Sequence, residues 1–222
     1  YNLKIIEDAA PALGSEFNGK NLGTFGDVGC FSFQGAKLTV SGEGGVFVTD
    51  DEDIYNKAKL ISSMGRTDSK AVFWSDTLGY QYTIANLTAA LALAQVERVD
   101  ELIEKKREIF NWYFDELKSV IGIKFIKEKD GIKSNYCYPS IYLEDELKID
   151  RDGLLSFLKN KNIHCRPGFP QMSEFPVFEK RFQNNNANKA WKRGISLASA
   201  ATLTQEDILF VCESIKQYIN NN

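Results

Sequence analysis

The sequence is poor in the residues that build metal sites and disulfide frameworks. It has a single histidine, His164, and its few cysteines form no CxxC pair; they are Cys30, Cys137, Cys165 and Cys212. Disulfide scaffolds and structural metal sites need denser, closely spaced ligands. The sequence therefore predicts neither a disulfide framework nor a metal site, and a Ser-His-Asp triad would depend on His164 alone.

Long apolar runs and an excess of one charge are also missing. No stretch approaches the roughly 18–20 apolar residues of a membrane span, and no secretory signal pattern is visible. Lys and Arg number 27 against 30 Asp and Glu, without a basic stripe for nucleic acid or an anionic membrane. We expect a cytoplasmic protein that binds neither nucleic acid nor a membrane. Because the chain opens on Tyr1 and runs straight into an apolar strand pattern, we expect it to be part of a longer chain.

The composition is that of a globular protein, with 43% hydrophobic and 26% charged residues in 222, enough for one large or two small domains. Short strands and glycine turns precede helical stripes, and a mixed pattern of strands and helices follows. This order favours an α/β fold with a three-layer core and a C-terminal α+β small domain. We place the two domains at residues 1–104 and 105–222.

Local patterns predict the individual elements. Strands are expected at 3–6, 30–33, 46–49, 123–128, 136–143 and near 163. Helices are expected from an N-cap at Asp50 or Asp51 to about 64, over 84–94, 99–120 and 150–161, and from Thr204 to the C-terminus. The segment 167–200 is expected to be irregular, with an exposed loop at 184–186.

An acid closes the first predicted strand. Asp8 follows the apolar pair Ile5-Ile6, and ligand groups of open α/β sheets lie at the carboxyl ends of strands. A carboxylate there can hold a positive charge on a buried ring. Taken alone, Asp8 is equally compatible with capping the next turn.

A serine and a lysine accompany the second predicted strand. Lys37 leaves this strand in a tight Gln-Gly-Ala-Lys context, and desolvation of such an amine makes it a nucleophile suited to imine formation. Ser32 could bind a phosphate. The alternatives are a surface lysine and a strand serine bonded to backbone. The glycines at 42–45 do not form GxGxxG and lead into a strand, so they indicate a turn with positive φ rather than a Rossmann site.

The combination is more specific than its parts, because pyridoxal phosphate needs an acid for its pyridine nitrogen, a lysine for its aldehyde and hydroxyls for its phosphate. The sequence resembles the DegT/DnrJ/EryC1/StrS family of nucleotide-sugar aminotransferases, which have the type I pyridoxal-phosphate transferase fold. The resemblance rests on the motifs at 6–10, 31–33, Lys37, 42–45, 79–82, 86–95, Arg166 and 203–207.

This resemblance implies a partial large cofactor-binding domain followed by the small domain. Asp8 would pair with the pyridine nitrogen, Lys37 would form the imine and move the substrate proton, and Ser32 would bind the phosphate. Gln81 stands where the family usually has an Asn that reaches the phosphate of the neighbouring subunit, which implies a homodimer with shared sites. Pro11 stands where the family often has a Gln or His beside the ring.

Arg166 and His164 lie in a neighbourhood that, in the family, approaches the nucleotide-sugar substrate. Arg166 could equally form a surface ion pair, and His164 could pack at the rim. By the same resemblance, glutamate would donate an amino group to a nucleotide-linked keto-6-deoxyhexose, and the context at 33–37 resembles enzymes that make 4-amino-4,6-dideoxy sugars. The family's chains extend well before the first strand, and that part supplies further cofactor contacts.

Two other functions stay open. Some relatives are sugar dehydratases with a histidine in place of the lysine, and Lys37 argues against that chemistry here. A truncated or sugar-sensing relative without catalysis is the other alternative.

Overall fold

A computed structural model describes residues 1–67, 71–179 and 181–222. The described chain forms two compact units. The first contains residues 1–103 and 129–137, and the second contains residues 104–128 and 138–222. The division into domains after residue 104 stays a prediction.

The described elements are given in chain order. The strands are β1 (Ile6–Asp8), β2 (Glu16–Phe17), β3 (Lys20–Asn21), β4 (Val28–Ser32), β5 (Gly45–Val48), β6 (Ile123–Phe125), β7 (Ile132–Lys133), β8 (Ser140–Leu143), β9 (Arg166–Pro167) and β10 (Gly194–Ser196). The helices are α1 (Glu52–Ser62), α2 (Asn86–Val96), α3 (Val99–Leu117), α4 (Arg151–Asn160), α5 (Asn185–Arg193) and α6 (Gln205–Asn220).

In the first unit, the sheet that carries the candidate site has the order β1-β4-β5. β1 runs parallel to β4, and β5 runs antiparallel to it. β1 begins later than predicted, because the backbone N–H of Ile5 donates to the Asp27 carboxylate at 2.8 Å and the Ile5 carbonyl accepts from the Asp27 N–H. The ladder therefore starts at Ile6.

A second sheet of the first unit has the order β3-β2-β7 and brings residues 132–133 back to the N-terminal segment. Helix α1 has the predicted cap, since the Asp51 carboxylate accepts the N–H of Ile54. Helix α2 exposes several large apolar side chains, among them Leu87, which is 88% exposed.

The second unit packs helices against an antiparallel sheet of order β6-β8-β10-β9. Its core includes Tyr113, Leu154, Leu158, Ile208 and Ile215, all fully buried. Helix α6 starts with a capping box in which Thr204 and Asp207 satisfy each other's backbone N–H groups, as a helix from Thr204 predicts.

Two predictions in this unit are wrong. The expected exposed loop at 184–186 instead begins α5, whose last residue, Arg193, donates to the carbonyls of Leu143, Glu144 and Leu147. These tertiary hydrogen bonds stabilise α5, a helix that the polar Asn run at 184–186 does not predict.

The strand predicted near 163 is the second error. Asn162 has a positive φ of 61°, and the N–H of Ile163 donates to the Leu158 carbonyl at 3.0 Å. The buried Ile163 side chain therefore belongs to the turn that ends α4, and the strand begins only at Arg166.

Candidate active site

Asp8 and Ser32 lie at the carboxyl ends of neighbouring parallel strands. Asp8 is paired with Cys30 across the β1–β4 ladder. Because side chains alternate along a strand, Asp8, Cys30 and Ser32 share one face of the sheet. The Asp8 carboxylate is exposed, and its Oδ1 accepts the Ala10 N–H at 3.2 Å. The arrangement places an acid and a hydroxyl on the same face of one sheet edge.

Lys37 follows Ser32 through a tight turn. The Ser32 hydroxyl accepts the N–H of Gln34 at 3.2 Å, and the N–H of Lys37 donates to the Gln34 carbonyl at 2.9 Å. Lys37 is half-buried between the buried side chains of Phe33 and Leu38 along the chain. Lys37 therefore lies in the turn that leaves the same end of the sheet as Asp8 and Ser32.

The glycine segment after Lys37 completes this edge. Gly42 and Gly44 have φ of 90° and 107°, which confirms the predicted turn. Gly45 pairs with Ser32 across the β4–β5 ladder, and a Cβ at Gly45 would overlap the Phe31 carbonyl. Position 45 therefore presents no side chain directly opposite Ser32.

Glu7 is a residue that the sequence analysis missed. Its side chain lies on the face opposite Asp8 and accepts the N–H groups of Gly23 at 2.7 Å, Gly26 at 2.6 Å and Phe25. These bonds, led by that of Gly26, hold the pKa of the Glu7 carboxyl below its ordinary value. An acid inside a strand that precedes a glycine-rich loop was the available signal.

Gln81 belongs to the first unit, where its exposed side chain donates from Nε2 to the Thr83 hydroxyl at 2.7 Å. The neighbouring rings of Tyr80 and Tyr82 stack with centroids 5.1 Å apart. The role of Gln81 toward a neighbouring subunit stays a prediction. The carbonyl of Pro11 accepts the side-chain N–H of Asn135 at 2.9 Å.

Arg166 and His164 belong to the second unit, and both are exposed. Arg166 begins β9 and is paired with Ser196. In the described part of the chain it forms no ion pair, so the surface ion pair considered above is not seen. Next to it, burial raises the pKa of the Cys165 thiol to about 11, which makes this thiol a poor nucleophile at neutral pH.

The described residues offer no cluster of three or more His, Cys, Asp or Glu side chains that could hold a metal ion. Among the same residues, no helix has both the length and the hydropathy needed to cross a bilayer.

The geometry of the first unit agrees with comparisons to known proteins. A model of the DegT/DnrJ/EryC1/StrS aminotransferase family matches residues 1–216. The chain belongs to this family. GDP-perosamine synthase of Vibrio cholerae is 38% identical over 223 residues, which cover 99% of this chain and 60% of that protein.

Solved structures confirm the predicted α/β fold of the sugar aminotransferases. PseC of Helicobacter pylori, described as an aminotransferase in pseudoaminic acid biosynthesis, matches with a TM-score of 0.92 at 23% identity, covering 99% of this chain and 60% of that one. Spr1654 of Streptococcus pneumoniae in its PLP-form matches with a TM-score of 0.87 at 22% identity, covering 98% and 58%. The chain spans about 60% of the length of these family members.

The donor set at the end of β1 and β4 fits pyridoxal phosphate. Asp8 would supply an anion for a protonated pyridine nitrogen, Lys37 would supply an amine for the aldehyde, and Ser32 would supply a hydroxyl for the phosphate. The residue directly opposite Ser32 on β5 is Gly45, which has no side chain. The residues present are therefore of the right kinds and lie at one edge of the sheet.

Proposed function

We propose that this chain carries the cofactor-binding core of a pyridoxal-phosphate-dependent aminotransferase that acts on a nucleotide-linked keto-6-deoxyhexose. The observation that supports this most directly is the position of Asp8 and Ser32 at the carboxyl ends of the parallel strands β1 and β4, with Lys37 in the turn that follows β4. Family membership over residues 1–216 supports the same reaction class.

Each residue has a distinct task in this proposal. The Asp8 carboxylate holds a positive charge at the pyridine nitrogen, and the Ser32 hydroxyl donates to the phosphate. The Lys37 amine anchors the aldehyde carbon and afterwards moves a proton at the substrate carbon. When bound, pyridoxal phosphate supplies an aldehyde that carries the amino group and a ring that accepts electrons.

The substrate proposal follows the relatives. GDP-perosamine synthase is the name of the Vibrio cholerae protein at 38% identity, and we propose a 4-amino-4,6-dideoxy sugar product with glutamate as the amino donor. We propose that Arg166 and His164 bind the nucleotide-sugar substrate, because the guanidinium of Arg166 suits a diphosphate or a carboxylate.

A homodimer with shared sites is also part of the proposal, with Gln81 reaching the phosphate of the neighbouring subunit. The exposed apolar side chains of α2, including Leu87 and Leu93, support a protein interface on this helix. We further place the protein in the cytoplasm.

The test is a spectrum followed by chemical trapping, carried out on the protein expressed from its complete gene. Added pyridoxal phosphate should give an imine absorbance band, and borohydride should fix the cofactor mass on the peptide that contains Lys37. Lys37→Ala should lose both signals, while Lys159→Ala on helix α4 serves as a lysine control that keeps them.

Turnover then tests the substrate class. Glutamate with a GDP-linked 4-keto-6-deoxyhexose should yield an amino sugar and 2-oxoglutarate. An absent imine band in the wild-type protein would contradict the aminotransferase assignment and favour a non-catalytic relative. A band without amination of any nucleotide-linked ketosugar would contradict the substrate class alone.

A further inference from the structure

The two strands that carry the candidate cofactor residues are linked a second time, outside their ladder. β1 is an outer strand of its described sheet and has only three residues. The loop at 22–27 leads directly into β4, and the Glu7 carboxylate of β1 accepts three N–H groups from it. Glu7 therefore ties β1 to the entry of β4.

The two carboxylate oxygens of Glu7 have separate partners. Oε2 accepts the N–H of Gly23 at 2.7 Å, whereas Oε1 accepts the N–H groups of Gly26, at 2.6 Å, and Phe25. Only an ionised carboxylate offers acceptors at both positions. An amide at position 7 would place an N–H group against one of the three backbone donors.

The loop that Glu7 holds is in direct contact with both strands. A Cβ at Gly29, the β4 partner of Glu7, would overlap the Gly23 carbonyl, and a Cβ at Gly26 would lie 2.7 Å from the Ile5 carbonyl. The loop is thus wedged against β4 on one side and against the start of β1 on the other. A shift of this loop would change how the two strands are held.

We propose that Glu7 is a positioning residue that sets the spacing between Asp8 on β1 and the segment that runs from Ser32, the last residue of β4, to Lys37. This inference rests on the proposed function, because one cofactor would have to reach Asp8 with its ring nitrogen and Ser32 with its phosphate. A rigid spacing between the two strands lowers the cost of ordering the site when the cofactor binds. Glu7 itself contacts the loop, on the face opposite Asp8.

The test compares two isosteric substitutions. Glu7→Gln should raise the dissociation constant for pyridoxal phosphate at least tenfold and shift the imine absorbance band. The matched control is Asp150→Asn, since the Asp150 carboxylate also accepts two backbone N–H groups, at the start of α4 in the second unit. Asp150→Asn should lower stability without changing the dissociation constant or the spectrum.

A wild-type measurement covers the case in which Glu7→Gln does not fold. Hydrogen exchange at the N–H groups of Gly23, Phe25 and Gly26 should slow when pyridoxal phosphate is added. Exchange at the Gly153 N–H, which donates to the Asp150 carboxylate, should not change. The inference would be overturned if Glu7→Gln kept the wild-type cofactor affinity and spectrum. It would also be overturned if exchange of the loop amides did not change when the cofactor was added. If the wild-type protein shows no imine band at all, the proposed function fails and this inference with it.

Discussion

Glu7 and Gly29 are partners in the parallel β1–β4 ladder, and the carbonyl of Gly23 fills the space over Gly29. The same loop donates its N–H groups to the Glu7 carboxylate. Gly29 on β4, which has no side chain, and the acid Glu7 on β1 therefore both contact the same loop. Both are needed for the loop to lie flat on this face of the sheet.

Gly29→Ala should be strongly destabilising, because its Cβ would meet backbone rather than a flexible side chain. We expect a loss of about 1–3 kcal/mol in the free energy of unfolding, measured by urea denaturation. Gly35→Ala is the matched control, since a Cβ at Gly35 has no atom within 4 Å. Equal stability of the two variants would contradict the close approach of Gly23 to β4.

The Glu7 carboxyl should make stability depend on acid pH. Its pKa in the folded protein is lowered from the ordinary value of 4.5, so its contribution is fully present above that value and is lost as the pH falls through the folded pKa. The stability gap between wild type and Glu7→Gln should thus be largest near neutral pH and shrink below about pH 4.5. Urea titrations across this pH range would measure the difference in unfolding free energy between the two proteins. A difference that does not depend on pH would contradict the hydrogen bonding of an ionised Glu7 carboxylate to the loop.

If the proposed function is right, substitutions of Asp8 and Ser32 should impair different properties of the enzyme. Asp8→Asn removes the charge at the ring nitrogen, and we expect at least about a 100-fold loss of turnover with the borohydride adduct on Lys37 retained. Ser32→Ala removes the serine hydroxyl that donates to the cofactor phosphate, and we expect roughly a tenfold weaker cofactor affinity. Turnover at saturating cofactor separates the two effects, and identical behaviour of the variants would argue against these separate roles.

Tyr113 is a polar anchor inside the second unit. Its fully buried hydroxyl donates to the Ala198 carbonyl at 2.9 Å, and burial raises its pKa well above the ordinary range. Tyr113→Phe keeps the ring but leaves that carbonyl without this donor, so we expect a loss of about 1–3 kcal/mol in unfolding free energy. Chemical denaturation of Tyr113→Phe beside Tyr142→Phe, a half-buried tyrosine of β8, would show whether the loss is specific.

Local signals in the sequence were reliable where the structure is also local. The N-cap at Asp51 and the start of α6 after Thr204 follow from side chains that bond within one turn. Asp8 was predicted to close a strand and is the last residue of β1, whereas Ser32 was predicted inside a strand and is the last residue of β4. Taken alone, each residue left its chemical role open; the combination with Lys37 and the resemblance to the family were needed to predict those roles.

Most of the missed features depend on residues far apart in the sequence; the strand predicted near 163 is the exception, because Ile163 bonds to Leu158 within the turn that ends α4. Strand β7 exists because Lys133 pairs with Glu16, and two-residue strands have no periodicity to detect. Helix α5 ends where Arg193 reaches carbonyls of a segment some 50 residues earlier. The Glu7 contact joins a strand residue to backbone N–H groups, and backbone donors are the same in every sequence.

Asn135 joins two segments of the first unit that lie far apart in the sequence. Its buried side chain donates to the carbonyls of Pro11 and Leu13 at 2.9 Å, and its N–H donates to the Ser15 hydroxyl at 3.0 Å. These bonds join residues more than a hundred positions apart in the sequence. Because contacts between such distant residues form more slowly than local ones, we expect the turn after Asp8 to reach its native packing only once the segment around Asn135 has joined it.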